Sequence, residues 1–120
     1  MTSILTPPIV AATKTVPAFR QEDHVMVGSC NIRCEPGSLW ISLGSAEMQN
    51  PPNPNSNPKC GKLATVTFDG GPPLNLTITD TCDDCGHNGY AVAVSGAAAK
   101  ALGPKFMALD RPDITYSINS

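Results

Sequence analysis

Residues 74–79, Leu-Asn-Leu-Thr-Ile-Thr, alternate strictly between apolar and polar. Leu74, Leu76 and Ile78 therefore share one face and Asn75, Thr77 and Thr79 the other, the period-two pattern of a half-buried strand. The run "LATVTF" at 63–68 lies just upstream, and "DGGPP" separates the two. Two β-runs around a Gly/Pro turn predict a hairpin. Shorter runs predict strands within 24–28 (HVMVG), 38–43 (SLWISL), 90–94 (YAVAV) and 113–118 (DITYSI). The period changes only in "SGAAAKALGP". There Ser95 is a candidate N-cap, alanines fill the turns and Gly103-Pro104 stops the element, which predicts a short helix over 96–102.

About six strands and one short helix predict an all-β domain. Asp80 follows Ile78 on the apolar parity, so the pattern predicts an acid at the rim of the core, half buried. The same parity turns Asn75, the first residue of an "NLT" glycosylation triplet, outward. Residues 49–59, with four prolines and four asparagines, read as a long surface loop. Residues 1–20 read as an N-terminal arm, and 21–120 as the folded domain.

The chain has 120 residues, enough for one domain. Twelve prolines and ten glycines imply many turns and short elements, which agrees with the β pattern. The net charge of −2 gives no general attraction to nucleic acid or to an anionic membrane. No apolar run approaches the roughly 20 residues that span a bilayer. The first residues carry no cation before Lys14, and Pro7-Pro8 interrupts their apolar stretch, so they make a poor signal peptide.

Candidate chemistry gathers in "TITDTCDDCGHNGYAVAVS", residues 77–95. It holds Asp80, then Cys82-x-x-Cys85 around Asp83 and Asp84, then His87 and Tyr90. Five cysteines stand at 30, 34, 60, 82 and 85. In an oxidising compartment four would pair and one would be left over. In a reducing one, Cys30 and Cys34 with Cys82 and Cys85 have the spacing of a four-thiolate zinc site, with His87 as a possible substitute ligand. A thioredoxin-like redox reading of Cys82-x-x-Cys85 lacks a helix starting at its cysteines to stabilise a thiolate. Trp40, the single tryptophan, suits packing or sugar stacking, and Tyr90 suits a groove wall. No cofactor motif stands out, and no metal is assigned.

The order "CGKLATVTFDGGPPLNLTITDTCDDC", "GYAVAVSGAAAKALG", "DITYSI", with "GSC" at 28–30 and "LWISLGSAEM" at 39–48, resembles the double-psi β-barrel family. That family includes expansins, barwin-like proteins, kiwellins, loosenins and the rare-lipoprotein-A domain. The resemblance covers about residues 24–118 and implies a six-stranded barrel with an open groove. It implies bridges Cys60–Cys82 and Cys30–Cys85, leaving Cys34 odd. It also implies secretion, although the poor signal peptide leaves a cytoplasmic location open. Of the two groove acids expected from the family, one matches Asp80. The other falls on Ala93. Glycoside hydrolysis usually employs two carboxylates, so the loss points away from a glycosidase.

Three functions remain open on these grounds. One is a non-hydrolytic groove module that binds a cell-wall glycan or a protein through Asp80, Asp83, Asp84, His87, Tyr90 and Trp40. A second is a secreted protease inhibitor or effector. A third is a small intracellular enzyme with Asp80 as acid or base for isomerisation, dehydration or cyclisation of a small molecule. No nucleic-acid or membrane partner is expected, and a monomer is.

Overall fold

The computed structural model describes residues 12–119. The elements in chain order are β1 (Lys14–Arg20), β2 (Met26–Val27), β3 (Arg33–Cys34), β4 (Trp40–Gly44), α1 (Ser45–Met48), β5 (Leu63–Thr67), β6 (Leu74–Cys82), β7 (Val92–Val94), α2 (Gly96–Leu102), α3 (Pro104–Ala108) and β8 (Asp113–Ile118). Six strands close into a barrel in the order β1-β7-β4-β6-β5-β8, and β2 and β3 form a separate two-stranded sheet. Closure leaves the barrel without an unpaired edge.

The alternating pattern accounts for the interior. Leu76 and Ile78 of β6, Ile41 and Leu43 of β4, Val92 and Val94 of β7 and Ile114 of β8 are buried in one core. Phe106 of α3 joins them and meets Phe68 edge-on, with ring centroids 5.2 Å apart. The 63–79 hairpin forms as predicted, with Ala64 opposite Leu76 and Val66 opposite Leu74. Helix α2 occupies the predicted residues. Ser95 caps it, its side chain accepting from the Ala98 N–H at 3.1 Å. Gly103 ends α2 at φ 108°, a region open to glycine, and Pro104 begins α3. Asn75 is exposed, as its parity predicted.

Four expectations are corrected. The arm does not extend to residue 20, because Lys14–Arg20 is a barrel strand. It pairs with β7 and β8 and buries Ala18 against the core. Pro17 in the middle of the run, with Lys14, Thr15 and Arg20 at its ends, hid this strand from the pattern. Residues 1–11 lie outside the described residues. The expected strand at 24–28 shrinks to Met26–Val27 and stays outside the barrel. Helices α1 and α3 were not expected, being too short to show a helical period.

The fourth correction concerns the bridges, which join Cys30 to Cys60 and Cys82 to Cys85, each with Cα atoms 5.4 Å apart. Cys30 and Cys60 both lie beside the middle of β6. The Cys30 N–H reaches the Thr79 carbonyl at 3.3 Å, and the Gly61 N–H reaches that of Ile78 at 2.9 Å. Cys82 and Cys85 instead close their own turn, which the Tyr90 N–H fastens to the Cys85 carbonyl at 2.8 Å. The odd cysteine is Cys34, as expected, and it is buried. With four sulfurs in disulfides the four-thiolate zinc reading falls. Among the described residues no three His, Cys, Asp or Glu side chains are placed to hold a metal ion.

Candidate functional site

One row of residues crosses four strands on the outer face of the barrel. Phe19 of β1 pairs with Ala93 of β7, Ala93 with Ser42 of β4, and Ser42 with Asp80 of β6. At a strand spacing of about 4.8 Å the row spans about 14 Å. Its two ends are large and its middle is small, so it forms the floor of a trough. The cavity above has a volume of about 740 Å³.

Asp80 reaches this face through a bulge. Ile41 pairs with Ile78, but the next residue, Ser42, pairs with Asp80, so Thr79 is the extra residue. A bulge shifts the period by one and turns the following side chains to the other face. Strict alternation would have aimed Asp80 inward. Instead Thr81 takes the inward position and is buried, while Asp80 is half-buried at the cavity. The Thr79 hydroxyl oxygen is buried without a hydrogen-bond partner.

The Asp80 carboxylate is fixed. Its Oδ1 accepts from the backbone N–H groups of Ser29 and Thr81, both at 2.8 Å. Gly28 makes room for it: a Cβ at that position would lie 2.2 Å from the Asp80 carboxyl carbon. The Thr81 hydroxyl beneath it binds Ser29 Oγ and the Asn50 side-chain amide, each at 2.8 Å. This network ties the turn between β2 and β3, strand β6 and the 49–59 loop together under the site.

Tyr90 forms the opposite wall with Phe19, their rings meeting edge-on with centroids 5.3 Å apart. The Arg111 guanidinium lies over the Tyr90 ring, 5.4 Å from its centroid, and donates to the Asn88 carbonyl at 3.1 Å. The Tyr90 hydroxyl donates to the Asp110 carbonyl at 3.2 Å. Phe19 is 42% exposed, so an apolar ring is presented to solvent on the groove wall. Asp83 and Asp84 line the same cavity from the Cys82–Cys85 turn, and Asp83 accepts from Ser45 Oγ at 3.1 Å.

The fold thus brings Asp80, Asp83, Asp84, Tyr90 and Trp40 to one cavity. Trp40 is only 4% exposed, so it packs more than it presents. His87 is not with them. It is exposed on the far side of the 82–90 loop and lines a second cavity of about 820 Å³. Phe19, Ser42, Met26, Asn88 and Arg111 also line the first cavity and escaped sequence reasoning. Phe19 lay in the supposed arm, and Arg111 in a loop. The short apolar run "VPAF" at 16–19 was the available signal for Phe19.

Chemically, the site offers one fixed carboxylate, two exposed ones, an aromatic wall and a small-residue floor. Across β4 from Asp80, where a second acid would complete a hydrolytic pair, stands Ala93.

The chain matches no family model and no curated protein. Solved structures do resemble it. A Streptomyces papain inhibitor superposes with a TM-score of 0.75 at 21% identity, over 93% of this chain and 98% of that one. An aspartate-to-asparagine variant of the Clavibacter michiganensis expansin, in complex with cellohexaose, gives 0.67 at 20% identity. The apo form of that expansin gives 0.65 at 21%. The expansin matches cover 91% of this chain and 51% of theirs, so the chain spans about half the expansin's length. The likeness shows the fold, the double-psi β-barrel that the sequence motifs resemble.

Proposed function

We propose that the protein is a non-hydrolytic groove module that binds a cell-wall polysaccharide along the Phe19–Asp80 row. The observation that carries this is the composition of that row. It has an exposed aromatic ring at one end, a single fixed carboxylate at the other and small residues between. Sugar rings stack on aromatic faces and edges, and fixed polar groups orient them. A groove with one fixed carboxylate, and an alanine at the position two strands across from it, holds a glycan without the positioned acid–base pair that cleaves one. Secretion belongs to this proposal, and two disulfides in a small domain support it. The test is retention on insoluble cellulose, chitin and peptidoglycan, with Phe19→Ala and Tyr90→Ala as controls that should lose it.

A second reading, a secreted inhibitor of a cysteine protease, has its own support. The match to the papain inhibitor covers nearly all of both chains, so the two are alike as whole domains. Inhibition of papain at micromolar protein, unaffected by Phe19→Ala and Tyr90→Ala, would favour it over the glycan reading. Use of Asp80 as the acid or base of a small-molecule enzyme has less support, because its Oδ1 is committed to two backbone donors.

A further inference from the structure

Within the 120 residues, Asn75-Leu76-Thr77 is the single Asn-x-Ser/Thr triplet. It lies in β6, on the stretch of that strand that the trough does not use. We propose that Asn75 is an N-glycosylation site whose glycan stands on the face of the barrel turned away from the trough. The inference rests on the secretion that belongs to the proposed function, and not on which ligand the groove takes.

The strand presents both polar members of the triplet. Asn75 and Thr77 share the outward parity of β6, while Leu76 between them is fully buried. Asn75 pairs with Thr65 of β5, and Thr65 with Ser117 of β8. The Thr65 hydroxyl donates to Asn75 Oδ1 at 2.9 Å and accepts from Asn119 Nδ2 at 3.0 Å. This relay holds the Asn75 amide by its oxygen. Its nitrogen, the atom that carries the sugar, has no acceptor among the described residues, and the residue is exposed. Exposed Leu63 pairs with Thr77 and so lies diagonally from Asn75, about 7–8 Å away. It offers apolar surface to the first sugar ring. The trough runs the other way round the barrel, from Asp80 through β4 and β7 to β1. Asp80 itself is about 15 Å further along β6. A glycan on Asn75 therefore leaves the trough open. In the transfer, Asn75 Nδ2 gives up one proton and displaces the diphosphate of a lipid-linked oligosaccharide from C1 of its first N-acetylglucosamine. One C–N bond forms and one C–O bond breaks, with no change of oxidation state. The Thr77 hydroxyl, two residues on and on the same face, completes the signal by which the transferring enzyme selects the asparagine.

Secretion of the full chain from yeast behind a cleavable leader tests this, read by intact mass before and after an amidase that removes Asn-linked glycans. The unaltered protein should carry one amidase-sensitive glycan. Asn75→Gln and Thr77→Ala should carry none. Thr77→Ser should keep it, which separates loss of the acceptor signal from a change in folding. A secreted protein without an amidase-sensitive glycan, or a glycan that persists in Asn75→Gln, would overturn the proposal. Retention on insoluble cellulose, chitin and peptidoglycan should be the same before and after the amidase. Retention that appears only after the amidase would place the glycan over the trough and overturn its assignment to the far face. Retention of neither form would remove the glycan-binding reading and leave the modification site standing.

Discussion

Asp80 and Ala93 stand two strands apart on the same face, joined through Ser42, which pairs with both. Their backbones are about 10 Å apart at ordinary strand spacing. That distance would accept a carboxylate pair, so what is missing from a hydrolytic site is the residue and not the room. Ala93→Asp should nonetheless release no reducing ends from a polysaccharide, because rate also requires positioned substrate and a tuned acid. Reducing-sugar assays over a day would check this, and sustained turnover by that variant would show that Asp80 retains a competent environment.

Asp80→Asn should fold normally. Asparagine Oδ1 still accepts from the Ser29 and Thr81 N–H groups. Glycan affinity should fall about tenfold, the order of one charge-assisted hydrogen bond. Asp80→Ala leaves two half-buried donors without their acceptor, and should cost about 2–3 kcal/mol of stability as well. Chemical denaturation of the two variants separates binding from structure. A large loss of stability with unchanged affinity in Asp80→Asn would make Asp80 a structural residue alone.

Gly28 is required by volume. A methyl group there meets the Asp80 carboxyl at 2.2 Å, far inside contact distance. Gly28→Ala must therefore displace Asp80 from its two donors. We expect a loss of about 2–3 kcal/mol, and an affinity loss at least equal to that of Asp80→Asn. Little further loss of stability on adding Gly28→Ala to Asp80→Gly would show that the clash is the cause.

The two bridges should differ in weight. Cys30–Cys60 closes a loop with a sequence separation of 30, and Cys82–Cys85 one of 3. Chain entropy assigns about 3.7 kcal/mol to the first and about 2 kcal/mol to the second. Replacing Cys82 and Cys85 together by serine should lower the melting temperature less than replacing Cys30 and Cys60, yet should weaken glycan binding more, because their turn lines the first cavity. The opposite order in binding would separate the turn from the groove.

Burial raises the Tyr116 phenol to a pKa of about 12, with the nearby Glu47 carboxylate and its hydrogen bond adding to the effect. The unfolded chain releases this proton near pH 10 and the folded one near 12. Between those values the unfolded state binds fewer protons, so stability falls as pH rises. The stability associated with Tyr116 is intact below pH 10 and lost by pH 12, at most about 2–3 kcal/mol. Tyr116→Phe should flatten that part of the pH profile. An unchanged slope in the variant would assign the decline to other groups.

The alternating runs made most of the barrel legible, because period two survives wherever one face is buried, as in Leu74–Ile78 and Asp113–Ile118. Ser95 and Gly103 likewise marked both ends of α2. The first strand was hidden because Pro17 interrupts it and Lys14 and Arg20 bound it, while barrel closure recruits that segment anyway. Asp80 was found for an incomplete reason. Parity aimed it inward, and only the bulge at Thr79, which depends on pairing with β4, turns it to the groove. The bridge partners could not be read, since Cys30 and Cys60 meet only once both lie against β6. Arg111 and Phe19 reach Tyr90 from distant chain positions, and no local signal records that meeting.

The central claim is binding without cleavage, and one measurement addresses it most directly: incubation of the protein with insoluble cellulose, chitin and peptidoglycan, scored for retained protein and for released reducing ends. The account predicts retention on at least one polymer, loss of that retention in Phe19→Ala and Tyr90→Ala, and no release of reducing ends above a protein-free control. Retention on none of the polymers, or steady release of reducing ends that Asp80→Asn abolishes, would contradict it.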